Sequence, residues 1–193
     1  MSGQPKLVLA SSSPRRRELL VQLGVEPDRV AAPDIDETPR PDELPRLYTR
    51  RMAEEKALAV QRMDGGIVLA GDTSVAMGRR ILPKAMSGAE VAAFLEKLSG
   101  RRHDVWSAIA VIDREGCLRR RLTKNVVRFK RLSRDEIAAY AASEEGIGKA
   151  GGYAIQGRAA GLIDFVSGSY SGIVGLPLYE TRVLLKASGF QVG

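Results

Sequence analysis

Leu7-Val8-Leu9-Ala10-Ser11-Ser12-Ser13-Pro14-Arg15-Arg16-Arg17-Glu18-Leu19-Leu20 is an apolar run, a serine turn and the opening of an amphipathic segment. Leu7 to Ala10, bounded by turn residues, predicts a short interior strand. Ser13 suits a helix N-cap, and Pro14 suits the first helical position, where its missing N–H would be unpaired anyway. Leu19, Leu20 and Leu23 supply an apolar face, and Gly24 a stop. Arg15, Arg16 and Arg17 are the odd feature. They sit at the positive end of the helix dipole, where each exposed cation costs about 0.3–1 kcal/mol. A docked anion reverses that sign, because free N–H groups, serine hydroxyls and guanidinium forks then converge on it. A solvated basic turn is the plainer reading of the same residues.

The 193 residues are 44% hydrophobic, enough for a core in one domain or in two lobes sharing a sheet. No apolar run reaches bilayer length, and Met1-Ser2-Gly3-Gln4-Pro5 lacks a signal-peptide core, so a cytoplasmic protein with no membrane partner is expected. The lone Cys117 excludes an internal disulfide and fits a reducing compartment. One histidine, His103, with no cysteine cluster argues against zinc. A net charge of +7 favours anionic partners without choosing among nucleic acid, phosphorylated small molecules and acidic surfaces.

Along the chain, Glu26 to Ala32 predicts a second strand. Pro33-Asp34-Ile35-Asp36-Glu37-Thr38-Pro39-Arg40-Pro41 is an acidic loop whose prolines stiffen the backbone around Asp36 and Glu37. Leu44 to Met63 predicts a long helix broken by Gly65-Gly66, with Lys56 on the border of its apolar face, either snorkelling to water or reaching into a cleft. Ile67 to Gly71 predicts a buried strand that delivers Asp72 and Thr73 at its carboxyl end, where α/β sheets bind ligands. A hairpin around Gly78-Arg79-Arg80 follows, ending at Pro83-Lys84. Capping boxes at Ser87/Glu90 and Ser133/Glu136 open two helices, and two long strands, His103 to Asp113 and Leu118 to Lys130, lie between them. Gly146 to Gly157 is glycine-rich but has neither Walker A nor dinucleotide spacing. Gly161 to Val166 predicts another strand, and Gly175-Leu176-Pro177 opens the last helix. The class is α/β, an elongated mixed sheet with flanking helices and a central cleft.

The candidate site gathers Arg15, Arg16, Lys56 and Lys84 with Glu37, Asp72 and Gln156. Carboxylates hold a hard cation, and lysine and arginine neutralise phosphate oxygens as charge shifts during transfer. An aspartate beside metal-bound water can take its proton as the water attacks phosphorus.

The ordered set Ala10-Ser11-Ser12-Ser13-Pro14-Arg15-Arg16, Asp36-Glu37-Thr38-Pro39, Glu55-Lys56-Ala57, Gly71-Asp72-Thr73, Leu98-Ser99-Gly100, Ala154-Ile155-Gln156-Gly157 and Val174-Gly175-Leu176-Pro177 resembles the Maf family of nucleoside triphosphate pyrophosphatases. The resemblance runs nearly end to end. Pro83-Lys84-Ala85 stands where the family often has Gly-Lys-Pro, and the lysine is kept. The resemblance implies one domain over residues 1–193 with two lobes around a deep cleft, the inosine triphosphatase-like fold, and frequently a homodimer. It implies hydrolysis of a nucleoside triphosphate to the monophosphate and pyrophosphate, with a divalent metal, Mg2+ first and Mn2+ or Co2+ as alternatives. Asp72 would be the proton acceptor and, with Glu37, the metal ligand. Arg16, Lys56 and Lys84 would meet the triphosphate together with the turn from Ser11 to Ser13. Roles in nucleotide-pool housecleaning or division arrest have been linked to the family.

In the branch acting on dTTP and UTP, base choice is attributed to an arginine, a threonine and a glutamine, which fall on Arg15, Thr73 and Gln156 here. The 7-methyl-GTP branch has tryptophan, glutamine and glutamate instead. Methylated guanine is a cation suited to an aromatic face and a carboxylate, and Arg15 would repel it. A glutamine amide offers the donor and acceptor that match the uracil edge. The competing class is a basic nucleic-acid-binding module; only 5% aromatic residues leave little for base stacking. The expected outcome is efficient cleavage of UTP and dTTP and poor cleavage of 7-methyl-GTP, read as a ratio of efficiencies; the reverse order would overturn the base assignment. Steep salt-dependent RNA binding without turnover would favour the binding module.

Overall fold

A computed structural model describes residues 4–64 and 66–193. The signal-peptide reading of Met1 to Gly3 and the first half of the Gly65-Gly66 break lie outside these residues. Strand β1 (Leu7–Ala10) is buried at every position and pairs in parallel with β2 (Arg29–Ala31) and with β3 (Ile67–Met77). The expected second strand is thus shorter than Glu26 to Ala32. Ala10 lies opposite Ala70, where β1 ends, but β3 continues for seven more residues to Met77. There it pairs antiparallel with β4 (Arg80–Leu82), from Val75 opposite Leu82 to Met77 opposite Arg80. One edge of β3 is therefore shared by two strands, with Gly71 to Ser74 left between them.

This corrects the sequence reading, in which the strand ends at Gly71. Gly-Asp-Thr-Ser looks like turn chemistry, but the other edge of β3 is held against β5 (Arg102–Ile112) without a break, Asp72 opposite Ala108 and Thr73 opposite Ser107. Tertiary pairing overrides local propensity. Strand β6 (Leu118–Phe129) continues the sheet, and β7 (Ile163–Ser167) closes it, giving seven strands in the order β2-β1-β3-β5-β6-β7 with β4 on β3. Because β7 pairs only with Val126 to Phe129, no strand among the described residues covers the outer edge of β6 from Leu118 to Asn125. Arg119, Arg120, Arg121 and Lys124 stand along that stretch.

Helices pack on both faces. α1 (Pro14–Val21) and α6 (Leu178–Ala187) bury Leu19, Leu20, Leu184 and Leu185 against Leu7, Leu9, Leu69 and Ile109. The long α2 (Pro45–Asp64) covers the opposite face, placing Ala53, Ala57 and Val60 on Val8, Ala10, Val68, Ala70, Ala108 and Ala110. A third cluster lies beyond Asp72, where α3 (Gly88–Leu98) and α4 (Arg134–Ala142) join Val75, Phe94, Leu95, Val127 and Phe129. Ser133 and Glu136 form the expected reciprocal capping box. At α3 only half of it forms: Ser87 accepts from the Glu90 N–H, while the Glu90 carboxylate accepts from the N–H of Met86. Ser13 gives α1 no side-chain cap. The strand expected from Gly161 begins at Ile163, after a 3-10 turn (Arg158–Leu162), and α6 begins at Leu178. A five-residue helix, α5 (Tyr170–Val174), went unread because one turn carries no periodicity. No helix among the described residues is long and apolar enough to cross a membrane.

His103 is buried at 2% exposure, stacked on Phe129, with Nε2 2.7 Å from the Tyr153 hydroxyl. Burial depresses its pKa to about 4, against the weaker upward pull of the Arg101 backbone and Asp104. The unfolded chain, with an ordinary imidazole near 6.5, binds the proton first as pH falls, so the native state loses stability between pH 6.5 and 4 and keeps this contribution fully above 6.5. Integrated over that interval the loss is about 3 kcal/mol. As this is the only histidine, urea unfolding of His103→Gln between pH 6.5 and 5 should show a visibly flatter stability slope than the parent; an equal slope would refute the assignment.

Candidate active site

The gap along β3 between β1 and β4 is where the site lies. Strand alternation sends Asp72 to the face covered by α2 and Thr73 to the other. On the first face, Lys56 comes down from α2 and is 6% exposed. Its ammonium donates to Asp72 Oδ1 at 2.7 Å and pairs with Glu37 Oε1 at 2.8 Å. Lys84, just past β4, donates to Glu37 Oε2 at 3.2 Å. The border lysine thus reaches into a cleft. Burial works to raise the Glu37 carboxyl, but the Lys56 hydrogen bond, the Lys56 and Lys84 charges and the Lys84 hydrogen bond hold it below the ordinary glutamate range.

Glu37 rides on the acidic loop, which α2 grips at two consecutive carbonyls. The Tyr48 hydroxyl donates to the Glu37 carbonyl at 2.9 Å, and Arg51 Nη2 donates to that of Thr38 at 3.1 Å. Arg51 also pairs with Glu43 through two bonds of 2.7 Å and lies over the Tyr48 ring. Proline stiffening is legible in the sequence; this grip depends on residues ten or more positions away and is not.

On the other face, Arg16 donates from Nε to the Gly175 carbonyl at 2.9 Å and from Nη1 to Ser11 Oγ at 3.2 Å. Its burial lowers its pKa, with Asp72 pulling the other way. The guanidinium passes so close to β3 that a Cβ at Gly71 would sit 3.3 Å from Arg16 Nε, a tight contact that a side chain there would have to push aside. Thr73 Oγ1 also lies 3.4 Å from the Gly175 carbonyl and 3.4 Å from Ser107 Oγ. Ser107 in turn donates to the Gly172 carbonyl, holding α5 and Gly175 at the cleft.

The glycine-rich segment forms the facing wall. Gly148 N–H donates to the Ala85 carbonyl at 2.7 Å, Ala85 N–H to that of Lys149 at 3.1 Å, and Gly151 N–H to that of Pro83 at 3.0 Å. Lys84 and Ala150 are bridged as antiparallel partners, so Lys149 adjoins Lys84. A Cβ at Gly146 would lie 2.2 Å from the Gly152 carbonyl oxygen, so the fold of this wall requires glycine.

Ser13, Arg15, Arg16, Glu37, Lys56, Asp72, Thr73, Lys84 and Gln156 all line one cleft of about 400 Å3. Ser11 does not: it is buried beneath the turn, where its hydroxyl accepts from the Ser13 N–H and from Arg16. Ser12, in the expected serine turn, also lines the cleft, and the one charged lining residue outside the sequence reading is Lys149. Lys149 had a signal, being the only charged residue between Gly146 and Gly157. Among the described residues no three His, Cys, Asp or Glu side chains cluster as a metal site. Glu37 and Asp72 nonetheless face one point, since both touch the same ammonium, and one or two carboxylates plus phosphate oxygens and water are what Mg2+ takes. The donor set fits a divalent cation that arrives with a phosphorylated ligand.

A mixed α/β sheet opening on a cleft of cations and paired carboxylates defines a phosphate-ester or anhydride-binding protein. Residues 6–188 match the Maf-like protein family, and the chain belongs to that family. It is 57% identical over 189 residues to a dTTP/UTP pyrophosphatase of Sphingopyxis alaskensis, covering 98% of this chain and all of that one. It is 58% identical over 193 residues to a dTTP/UTP pyrophosphatase of Novosphingobium aromaticivorans, covering 100% and 96%. Among solved structures it has a partial likeness to the Ham1 protein of Staphylococcus aureus, with a TM-score of 0.47 and 18% identity over 64% of this chain and 71% of that one.

Removing one partner of a buried ion pair leaves the other charge uncompensated, at a cost of about 3–5 kcal/mol. Lys56→Met should therefore destabilise the fold by about that amount in urea, because Glu37 and Asp72 then face each other unscreened. Adding Asp72→Asn to Lys56→Met should return part of the loss. Additive destabilisation in the double variant would contradict this electrostatic account.

Proposed function

We propose that the chain hydrolyses dTTP and UTP to the nucleoside monophosphate and pyrophosphate. The observation that carries this reading is the Glu37–Lys56–Asp72 cluster in a cleft lined by four further cations. Its company with dTTP/UTP pyrophosphatases at 57–58% identity over essentially the whole chain supports the same substrates. On this reading residues 1–193 act as one domain whose two lobes meet at the cleft.

Water attacks the α-phosphorus from the side of Asp72. Oδ1 of that carboxylate is committed to Lys56, which leaves Oδ2 to take the proton of the water as its oxygen bonds to phosphorus. The bond from the α-phosphorus to the bridging oxygen breaks, and its electron pair leaves on pyrophosphate. Glu37 and Asp72 would hold the divalent metal, Mg2+ on this proposal, which when bound neutralises phosphate charge. Lys56 holds both carboxylates aimed at one point. Arg16, fixed by Gly175 and Ser11, presents its guanidinium to phosphate oxygens without a further loss of side-chain freedom. Gln156, exposed on the rim, offers its amide to the pyrimidine edge, and Thr73 lines the same cleft. Val75, Val105, Ile155 and Ile173 give the cleft an apolar side suited to a neutral base.

Hydrolysis of UTP in 18O-labelled water should place the label in UMP and none in pyrophosphate, as mass spectrometry of both products would show. Label in pyrophosphate would mean attack at the β-phosphorus and would reject the scheme. Asp72→Asn should lower kcat by on the order of 10²–10⁴-fold while nucleotide affinity, measured by calorimetry, stays close to that of the parent. Near-parental turnover at saturating Mg2+ would remove Asp72 from the role of base.

A further inference from the structure

The chain that leaves α4 runs along the cleft wall and then comes back to where the wall began. Glu145 stands at its start and Arg158 at its return. The Glu145 carboxylate accepts the Arg158 N–H with both oxygens, Oε1 at 2.9 Å and Oε2 at 3.2 Å. A bond to a carboxylate is roughly twice as strong as one between neutral groups. The two residues are thirteen positions apart, so one side chain closes the whole loop. Glu145 does not line the cleft.

Gly157 shows how closely the carboxylate is packed. A Cβ there would lie 1.9 Å from Glu145 Oε1 and 2.5 Å from its carboxyl carbon. The φ of Gly157 is −112°, outside the left-handed region that favours glycine. The missing side chain therefore gives room to the carboxylate and is not needed by the backbone.

The two halves of the loop are held by different partners. The first half lies on Pro83 to Ala85 through the bonds of Gly148, Lys149 and Gly151. The second half is held from behind. Tyr153 packs edge-on against Phe129, ring centroids 5.1 Å apart, with its hydroxyl 2.7 Å from His103 Nε2. Ala154 N–H donates to the Tyr140 hydroxyl at 3.1 Å, and Gly157 N–H donates back to the Ala154 carbonyl at 3.1 Å. Gln156 stands midway between two fixed amides, that of Ala154 on Tyr140 and that of Arg158 on Glu145.

This position bears on selectivity. Uracil presents an acceptor beside an N–H donor, and cytosine presents a donor beside an acceptor. An amide discriminates between them only while mismatched groups are forced together, so that a polar atom is left unpaired. A loop free to retreat relieves the mismatch and lets water in.

We propose that Glu145 is a positioning residue for Gln156: its carboxylate clasps the two ends of the wall loop and so sets the discrimination between uracil and cytosine without touching the ligand. The proposal rests on the pyrophosphatase reading, in which Gln156 meets the pyrimidine edge. It assigns Glu145 and Gly157 one joint task, and it separates the base-facing half of the wall from the half that carries Lys149.

The test measures kcat/KM for UTP and CTP in the parent, Glu145→Ala, Glu145→Gln, Gly157→Ala, Gln156→Ala and the double variant Glu145→Ala/Gln156→Ala. Inorganic pyrophosphate, titrated by calorimetry with Mg2+, serves as a ligand without a base. Glu145→Ala should lower the UTP-to-CTP ratio by about 10-fold and leave pyrophosphate affinity unchanged. Glu145→Gln keeps an acceptor oxygen at the same reach and should recover part of the ratio. Gly157→Ala keeps the carboxylate but pushes it away, and should lower the ratio as Glu145→Ala does. Added to Gln156→Ala, the Glu145→Ala change should alter the ratio little further. An unchanged ratio in Glu145→Ala, an equal effect with and without Gln156, or a matching loss of pyrophosphate affinity would overturn the proposal. Amide exchange of Arg158, followed by NMR, needs no turnover and should speed by about 10-fold or more in Glu145→Ala; equal exchange in parent and variant would overturn the clasp itself. A parent that fails to cleave UTP, yet shows this change in exchange, would reject the functional reading and leave the clasp standing.

Discussion

One buried ammonium sets the terms for the site. Lys56 sits between Glu37, carried by a loop, and Asp72, carried by the central strand of the fork, and touches both at hydrogen-bond distance. Without it, two carboxylates converging on one point would repel each other across a part-buried cleft. The loop is held at a fixed distance from the sheet, and the oxygen atoms not used by Lys56 are turned to other partners. Tyr48 and Arg51, about two turns and just over one turn before Lys56 on α2, hold the carbonyls of Glu37 and Thr38. One helix therefore positions the lysine, the glutamate and the distance between them.

The cleft itself comes from a change of partner along β3. β1 leaves the edge at Ala70 and β4 takes it up at Val75. In the interval, the strand has the rigidity of its pairing with β5 on one side and open space on the other. Residues there are aimed as strand residues yet accessible as loop residues. Alternation then assigns Asp72 to the face of α2 and Thr73 to the face of Arg16 and Gly175, so neighbouring positions serve different ends of a ligand. The Gly175 carbonyl, accepting from Arg16 and approached by Thr73, ties the C-terminal third of the chain to the first helix.

Much of this was legible in the sequence where the signal is local. The strand, serine turn and helix of residues 7–20 follow from composition and capping rules, and Ser133 with Glu136 makes the reciprocal cap its spacing predicts. The residues gathered in the cleft were named from motif types, and all but Ser11 line it. What was not legible depends on contacts between distant segments. The strand reads as ending at Gly71 because nothing local shows that Trp106 to Ile109 will pair with Gly71 to Ser74. Ser11 reads as a ligand contact, yet it is buried beneath the turn, where its oxygen accepts from Arg16 and from the Ser13 N–H. The place of Lys149 in the cleft depends on a bridge between Lys84 and Ala150 that no periodicity announces. Arg51 reads as one more surface charge on a helix, although its guanidinium is only 14% exposed and spans Glu43, Glu55 and Thr38.

The uncovered stretch of β6 has a bearing on solubility. From Leu118 to Asn125 its outer backbone groups meet no strand among the described residues, which is the template that edge-to-edge association uses. The side chains there include three consecutive arginines and Lys124. A second copy approaching in register would bring like charges together along its whole length, and natural sheets deter such pairing by placing charges on their edges. Arg119 and Arg120 are also tethered inward, to Asp113 and Glu54, so the barrier is held in place and does not swing aside. The excess of positive charge in this chain is therefore divided: part of it lines the cleft, and part stands along an exposed strand edge.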